Sequence, residues 1–180
     1  MKIPTFAWVL PRPRKSNKYR GGFPLHFEKK LLNFLKLNPE KHLILHPFGG
    51  MAEYGLRVDI LRKVKPDVIG DAHHLPFKAN IFDCVILDPP YSDEYSEELF
   101  GVKQKLNMRK YIQESIRVLK EDGFLVFYHI YPIPCPKGCR WHARILLEHR
   151  TFHRLRWVGI FRKGLPERLK YKESSLERFV

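Results

Sequence analysis

Four residues, Asp88-Pro89-Pro90-Tyr91, set a carboxylate, two rigid backbone units and an aromatic ring in direct succession. They follow Cys84-Val85-Ile86-Leu87, an apolar run that reads as a buried strand. The two prolines remove two backbone donors and fix φ at both residues, so the turn is pre-set. A strand that ends this way suits gripping a flat ring with an exocyclic amino group. Asp88 and a backbone carbonyl of the turn can each accept one of its N–H bonds, and Tyr91 can lie face-on to a base. The alternative is a strand end with a Pro-rich turn and no chemistry.

Such residues need a sheet rim to stand on, and the flanking sequence supplies one. Residues 1–22 are rich in Pro, Arg, Lys and Gly and read as an extended basic arm without a core of its own. From Phe23 to Leu37 the spacing of Leu31, Leu32, Phe34 and Leu35 fits a helix, which Asn38-Pro39 ends. His42 to His46 is a short buried strand, followed by Pro47-Phe48-Gly49-Gly50, where glycine lets a ligand approach the backbone. A second strand, Leu56 to Ile60, begins almost at once. Parallel strands normally need a crossover of about a dozen residues or more, so this crossover is reduced. The phosphate-binding helix of a dinucleotide site does not fit there, which argues against NAD or ATP and admits a ligand without phosphates.

Pro66 to Asp71 reads as a third strand ending in an acid, and Ile81 to Leu87 as the fourth, feeding the Asp88 turn. Glu94 to Gly101 reads as a mobile acidic segment, and Gln104 to Leu119 as a helix. Glu121-Asp122-Gly123 turns into strand Phe124 to Tyr128. Arg144 to Lys163 reads as a hairpin, with a helix over Trp141 to Phe152 as the competing assignment. The charged tail from Pro166 reads as a frayed helix. Strands alternating with helices, then a terminal hairpin, predict a doubly wound α/β sheet. The organisation expected is an arm at 1–22, one domain at 23–165 and a tail at 166–180.

The chain has 180 residues, 44% of them apolar, which allows one domain with a real core. No apolar run reaches the ~18 residues of a membrane span, and the first residues lack the apolar core of a signal peptide, so a cytoplasmic location is expected. The net charge of +14 favours a polyanion. Nucleic acid is the first candidate partner and an anionic membrane surface the second. The basic residues concentrate between Arg12 and Arg20 and between Arg140 and Lys163, whereas Asp93, Glu94, Glu97 and Glu98 follow the Asp88 turn. Cys84 reads as a buried small hydrophobe. Cys135 and Cys139, with His142 nearby, have loose spacing for zinc, and a Gly/Pro loop with two incidental thiols is the preferred reading, so no metal is expected.

The order of these segments resembles the class I S-adenosylmethionine-dependent methyltransferases, in particular the amino-methyltransferases that carry Asp-Pro-Pro-Tyr. The resemblance covers roughly residues 20–130. The family's first-strand loop, typically acid-Pro-Phe-x-Gly, corresponds to His46-Pro47-Phe48-Gly49-Gly50, with His46 where an acid is usual. Asp59 matches the acid that takes the ribose hydroxyls, and Gly70-Asp71-Ala72 matches the segment facing the adenine. Phe23-Pro24 matches a segment that closes over the cofactor. The resemblance thus implies S-adenosylmethionine as cofactor, bound by Phe23, Pro24, His46, Phe48, Gly49, Gly50, Asp59, Asp71 and Ala72, with Asp88, Pro89, Pro90 and Tyr91 catalytic. It implies a Rossmann-like methyltransferase sheet, mostly parallel, with an antiparallel C-terminal hairpin and a reduced first crossover.

Each assignment has a plainer rival. Asp59 could be a surface acid at a strand end, and Asp71 a turn or cap acid. His73, His74 and His129 read best as solvated loop histidines, and Trp141 and Trp157 as packing residues. The function expected is methyl transfer to an exocyclic amino group of a nucleic-acid base in DNA or RNA, with adenine N6 favoured. A protein glutamine methyltransferase is a rival, although such enzymes usually carry Asn in place of Asp88. A non-catalytic basic nucleic-acid-binding module on the same scaffold is another.

Overall fold

The computed structural model describes residues 2–12, 22–103, 105–148 and 155–164. Their strands are β1 (Thr5–Val9), β2 (Ile44–His46), β3 (Leu56–Asp59), β4 (Val68–Ile69), β5 (Phe82–Leu87), β6 (Leu119–His129), β7 (Cys139–Glu148) and β8 (Arg156–Lys163). The helices are α1 (Phe27–Leu35), α2 (Asp93–Phe100) and α3 (Met108–Val118). All eight strands share one sheet in the order β1-β7-β8-β6-β5-β2-β3-β4. Only β8 runs against its neighbours, pairing antiparallel with both β6 and β7. This is the doubly wound, mostly parallel sheet that the segment order predicts.

Helices cover both faces. On one, Leu31, Leu32 and Leu35 of α1 pack with Ile44, Cys84, Ile86, Val126 and Ile160. On the other, Tyr111 and Val118 of α3 pack with Leu45, Val85, Leu87, Leu125 and Phe127. Alternate residues of β5 and β6 therefore feed two separate cores, as strands covered on both sides must.

Several boundaries depart from the sequence reading for local reasons. Helix α1 starts at Phe27 rather than Phe23, because Pro24 accepts from the Phe27 amide and His26 takes a left-handed φ of 66°. The segment after the Asp88 turn is the helix α2. Ser92 caps it by accepting from the Tyr95 amide, Asp93 and Glu94 occupy the first turn, and Gly101 closes it at φ 72°. Helix α3 starts at Met108, where Asn107 accepts from the Lys110 amide. The turn expected at Glu121-Asp122-Gly123 survives as an excursion inside β6: Phe82 pairs Leu119 but Cys84 pairs Phe124, and Asp122 has φ 60°.

The terminal hairpin is longer than expected. Buried Ala143, Ile145 and Leu147 alternate with exposed Arg144 and Leu146, a period of two that excludes a helix over the described part of 141–152. The N-terminal segment is not a bare arm. Strand β1 pairs parallel with β7, and Trp8 is buried against the edges of Phe27 and Phe34. The basic stretches at 13–21 and 149–154 and the tail from Leu165 lie outside the described residues. Among the described residues no helix is long and apolar enough to cross a membrane.

The link from β2 to β3, residues 47–55, holds no helix, as the short spacing predicts. Its path is tight. The Gly49 amide donates to the Val58 carbonyl at 2.8 Å, and a Cβ at Gly49 would stand 2.6 Å from Cβ of Arg57. The Arg57 guanidinium then fastens the region by donating to the carbonyls of Gly50 and Lys65.

Candidate active site

The carboxyl ends of β2, β3, β4 and β5 open into one cavity of about 240 Å³. Ligands of open α/β sheets bind at this rim. The wall at β2 is Pro47, Phe48, Gly49 and Gly50. Asp59 comes from β3, Asp71 and Ala72 follow β4, and Asp88-Pro89-Pro90-Tyr91 follow β5. Phe23 and Pro24 close one side. Of the residues assigned from the sequence to cofactor binding or catalysis, His46 alone is missing from the lining.

Asp59 is buried, and both its carboxylate oxygens already hold backbone. Oδ2 accepts from the Gly50 amide and Oδ1 from the Leu61 amide, each at 2.9 Å. Each carboxylate oxygen accepts more than one bond, so the side chain both ties the glycine loop to β3 and keeps acceptor capacity for a diol. Asp71 accepts from the amide and Nδ1 of His73 at 2.8 and 2.6 Å. Nε2 of His73 accepts in turn from the Asn107 amide at 2.9 Å. His73 is thus a buried strut between the β4 loop and the start of α3, not a solvated loop histidine, whereas His74 is exposed.

His46 does not line the cavity. It is buried with its Nε2 3.5 Å from Oε1 of Glu28, without the alignment of a hydrogen bond. Burial pulls the imidazole down to about 4 and pushes the Glu28 carboxyl up to about 7. The pair is therefore no strong ion pair at neutral pH. Glu28 reaches from α1 to accept from the amides of Glu53 and Tyr54, so it holds the β2–β3 link from behind.

Asp88 borders the cavity and is half-buried. Desolvation pushes its carboxyl up to about 7; the Arg156 guanidinium pulls it down and Glu28 pushes it further up. The turn beyond it is held by two contacts. His129 hydrogen-bonds the Pro90 backbone, and the Tyr131 hydroxyl donates to the Tyr91 carbonyl at 2.8 Å. His129 is buried and its imidazole is pulled down to about 4 by desolvation, so it holds that carbonyl as a neutral group. Tyr91 does not stand free for stacking. Its ring packs against Tyr95 at 5.1 Å and the edge of His129 at 5.1 Å, with the Arg156 guanidinium 5.4 Å from its centre.

Residues not singled out in the sequence complete the cavity: Tyr95 and Ser96 of α2, Val102 and Leu106 of the α2–α3 link, Tyr128 at the end of β6 and Arg156 at the start of β8. Helix α2 and its link thus cover the side of the cavity at Tyr91, against which Tyr95 packs. Asp93 fixes that cover by accepting from the Leu106 amide at 2.7 Å.

The thiols of Cys135 and Cys139 do not line the cavity. Burial raises both, Cys139 to about 12, and among the described residues no three His, Cys, Asp or Glu side chains converge on a metal position.

The cradle fits an adenosine-type ligand without phosphates: two carboxylates at successive strand ends, a backbone-lined glycine wall, apolar sides from Phe48, Met51 and Ile60, and no helix N-terminus after β2.

No protein-family model matches the chain. The demethylmenaquinone methyltransferase of Thermotoga maritima is 28% identical over 117 residues, which cover 63% of this chain and 43% of that enzyme. The chain therefore spans less than half the length of the curated relative it matches. Among solved structures, Escherichia coli yhhF, assigned as a methyltransferase, superposes with a TM-score of 0.50 at 14% identity, covering 87% of this chain and 92% of that one. This likeness shows the fold, a Rossmann-like methyltransferase sheet.

Proposed function

We propose that the chain is an S-adenosylmethionine-dependent methyltransferase that modifies an exocyclic amino group of a nucleic-acid base, with adenine N6 favoured. The observation that carries this reading is that Asp88-Pro89-Pro90-Tyr91 opens into the same cavity as Asp59, Asp71 and the Gly49-Gly50 wall. Asp59 and the Gly50 backbone would hold the ribose, Asp71 and Ala72 the adenine, and Phe23 and Phe48 the flanks. S-adenosylmethionine, when bound, supplies an electrophilic methyl carbon whose bond to sulfur breaks, its electron pair staying on sulfur, as the amine lone pair forms the new nitrogen–carbon bond.

The chain's own residues make the amine able to do this. The lone pair of an exocyclic amine is delocalised into its ring. Asp88 accepts one N–H and draws the nitrogen toward tetrahedral. A backbone carbonyl of the turn accepts the other N–H; His129 and Tyr131, bonded to the backbone at Pro90 and Tyr91, hold that turn in place. Positive charge builds on nitrogen during transfer, and the Asp88 carboxylate stabilises it and takes the proton released. Holding the amine in line with the methyl supplies much of the remaining acceleration. A target inside a duplex is flipped out first.

The net charge of +14 supports a polyanionic substrate. Asp88, where glutamine-amide methyltransferases usually carry Asn, favours the base over the protein amide. The test is methyl transfer from radiolabelled S-adenosylmethionine to genomic DNA, tRNA and rRNA, followed by nucleoside analysis. Label in an N-methylated base supports the reading. Label confined to a protein glutamine, or no binding of S-adenosylmethionine by titration, refutes it.

A further inference from the structure

The cavity contains a cation that the reading above leaves without a role. Arg156 is the first residue of β8. Because β8 runs antiparallel to β6, its amino end lies at the same rim as the carboxyl ends of β5 and β6. Arg156 comes from that end and lines the cavity with Asp88, Tyr91 and Tyr128. Its guanidinium carbon stands 5.4 Å from the centre of the Tyr91 ring, and its side-chain hydrogen bonds reach the hydroxyls of Tyr91 and Tyr128. Three adjacent strands, β8, β6 and β5, thus deliver a cation, a phenol and a carboxylate to one spot.

We propose that Arg156 is a positioning residue of the acceptor site: it locks the Tyr91 and Tyr128 rings that wall the acceptor and keeps Asp88 in the carboxylate form that an amine can donate to. Its catalytic meaning rests on the methyltransferase reading above; its effect on Asp88 does not.

The groups that face Asp88 make the cation necessary. Glu28 approaches from α1 and opposes ionisation. His129 on β6, against the edge of the Tyr91 ring, is neutral near pH 7, since burial pulls it down to about 4. The phenols of Tyr91 and Tyr128 are raised by desolvation and by Asp88 itself, so they stay uncharged and supply no countercharge. Among the described residues that leaves Arg156 as the group whose charge favours the Asp88 carboxylate. A nearby opposite charge lowers a carboxyl, and Arg156 acts on Asp88 in that direction. Without it, Asp88 would be largely protonated at neutral pH, with one oxygen turned from acceptor to donor.

The same geometry separates Arg156 from a general phosphate contact. A phosphate-binding arginine acts through acceptor affinity. A residue that ionises Asp88 acts through the pH at which transfer begins.

The experiment uses the full chain with two charge-free variants, Arg156→Gln and Arg156→Met, so that one folded protein is enough, and with Arg156→Lys, which keeps the charge. Asp88 is titrated by NMR of carboxyl-labelled aspartate, with Asp88→Asn identifying its resonance. The charge-free variants are expected to move the Asp88 midpoint up by about one pH unit or more, and Arg156→Lys to keep it within about half a unit. With radiolabelled S-adenosylmethionine and whichever of DNA, tRNA or rRNA accepts label, the acidic limb of kcat should move by the same amount. Raising the pH to 9 should restore most of the lost rate. An unmoved Asp88 midpoint, or a rise in KM alone at every pH, would make Arg156 a substrate contact or a packing residue and overturn the inference. Wild-type protein that titrates as expected but transfers methyl to none of the three nucleic acids refutes the functional reading and leaves the Arg156–Asp88 coupling in place.

Discussion

Asp88→Asn should stabilise the fold and abolish the reaction, and the stabilisation should appear only above a definite pH. The Asp88 carboxyl rises from 3.8 to about 7 because it is desolvated. The native state therefore holds its proton more tightly than the unfolded chain does. Ionising Asp88 in the native state costs stability that is absent below pH 4, grows as pH rises toward 7, and is complete above it. At about 1.4 kcal/mol per pH unit the full cost is about 4 kcal/mol. Asp88 borders an open cavity, so water relieves part of this, and about 2 kcal/mol is the working figure. Asparagine has the same shape and carries no charge. At pH 8 the variant should melt roughly 4–8 °C higher than the wild type, falling to no difference near pH 4. Calorimetric melts at four pH values measure this without any knowledge of the substrate. A variant that melts lower at pH 8, or whose difference does not vary with pH, would show that Asp88 is not held under electrostatic tension, and the argument for its role as a poised acceptor would fall with it.

Three further outcomes follow from single contacts. Gly49→Ala puts a methyl 2.6 Å from Cβ of Arg57 and 3.1 Å from the Val58 carbonyl, so urea melts should show a loss of about 2 kcal/mol and calorimetric titration a weaker hold on S-adenosylmethionine. Ser92→Ala removes the cap of α2, and exchange of its amides should quicken by roughly fivefold, the equivalent of about 1 kcal/mol. His46 is held well below its ordinary 6.5, so the unfolded chain protonates first and stability is lost as pH falls from 6.5 toward 4. His46→Gln should remove up to about 3 kcal/mol of that loss, leaving the share that belongs to His129.

The parts of the site that lie at the ends of parallel strands were legible, because each combines an apolar run with a polar stop. Leu45, Val58 and Leu87 are fully buried, and the chain turns outward within one to three residues of each. The reduced crossover was legible from spacing alone, since nine residues lie between His46 and Leu56 and no helix fits. Helix α2 escaped notice although its signals are in the sequence: Ser92 before Asp93 and Glu94, and Gly101 at the close, form a cap-to-cap frame that the acidic composition masked. The strand at Thr5–Val9 escaped for the opposite reason. Four of its five residues are exposed, so its pattern carries little periodic signal, and only Trp8 anchors it. The fate of His73 depended on Asn107, thirty-four residues away, which no local pattern announces.

Arg156 shows why the Asp88 side of the rim is harder to read than the side of Asp59 and Asp71. In an all-parallel sheet, every residue at the rim is the last of its strand, and a search confined to strand ends finds them all. One antiparallel strand breaks this rule, since its first residue arrives at the rim where the others' last residues stand. The exchange has an electrostatic consequence. The strand ends at this rim contribute Asp59, Asp71 and Asp88, while α1 adds Glu28 close behind. Ionising a carboxylate amid such neighbours is unfavourable without a cation beside it. The reversed strand delivers it from the other side, between Tyr91 and Tyr128. On the proposed reading, the direction of this one strand sets whether Asp88 can stand as a carboxylate at the rim.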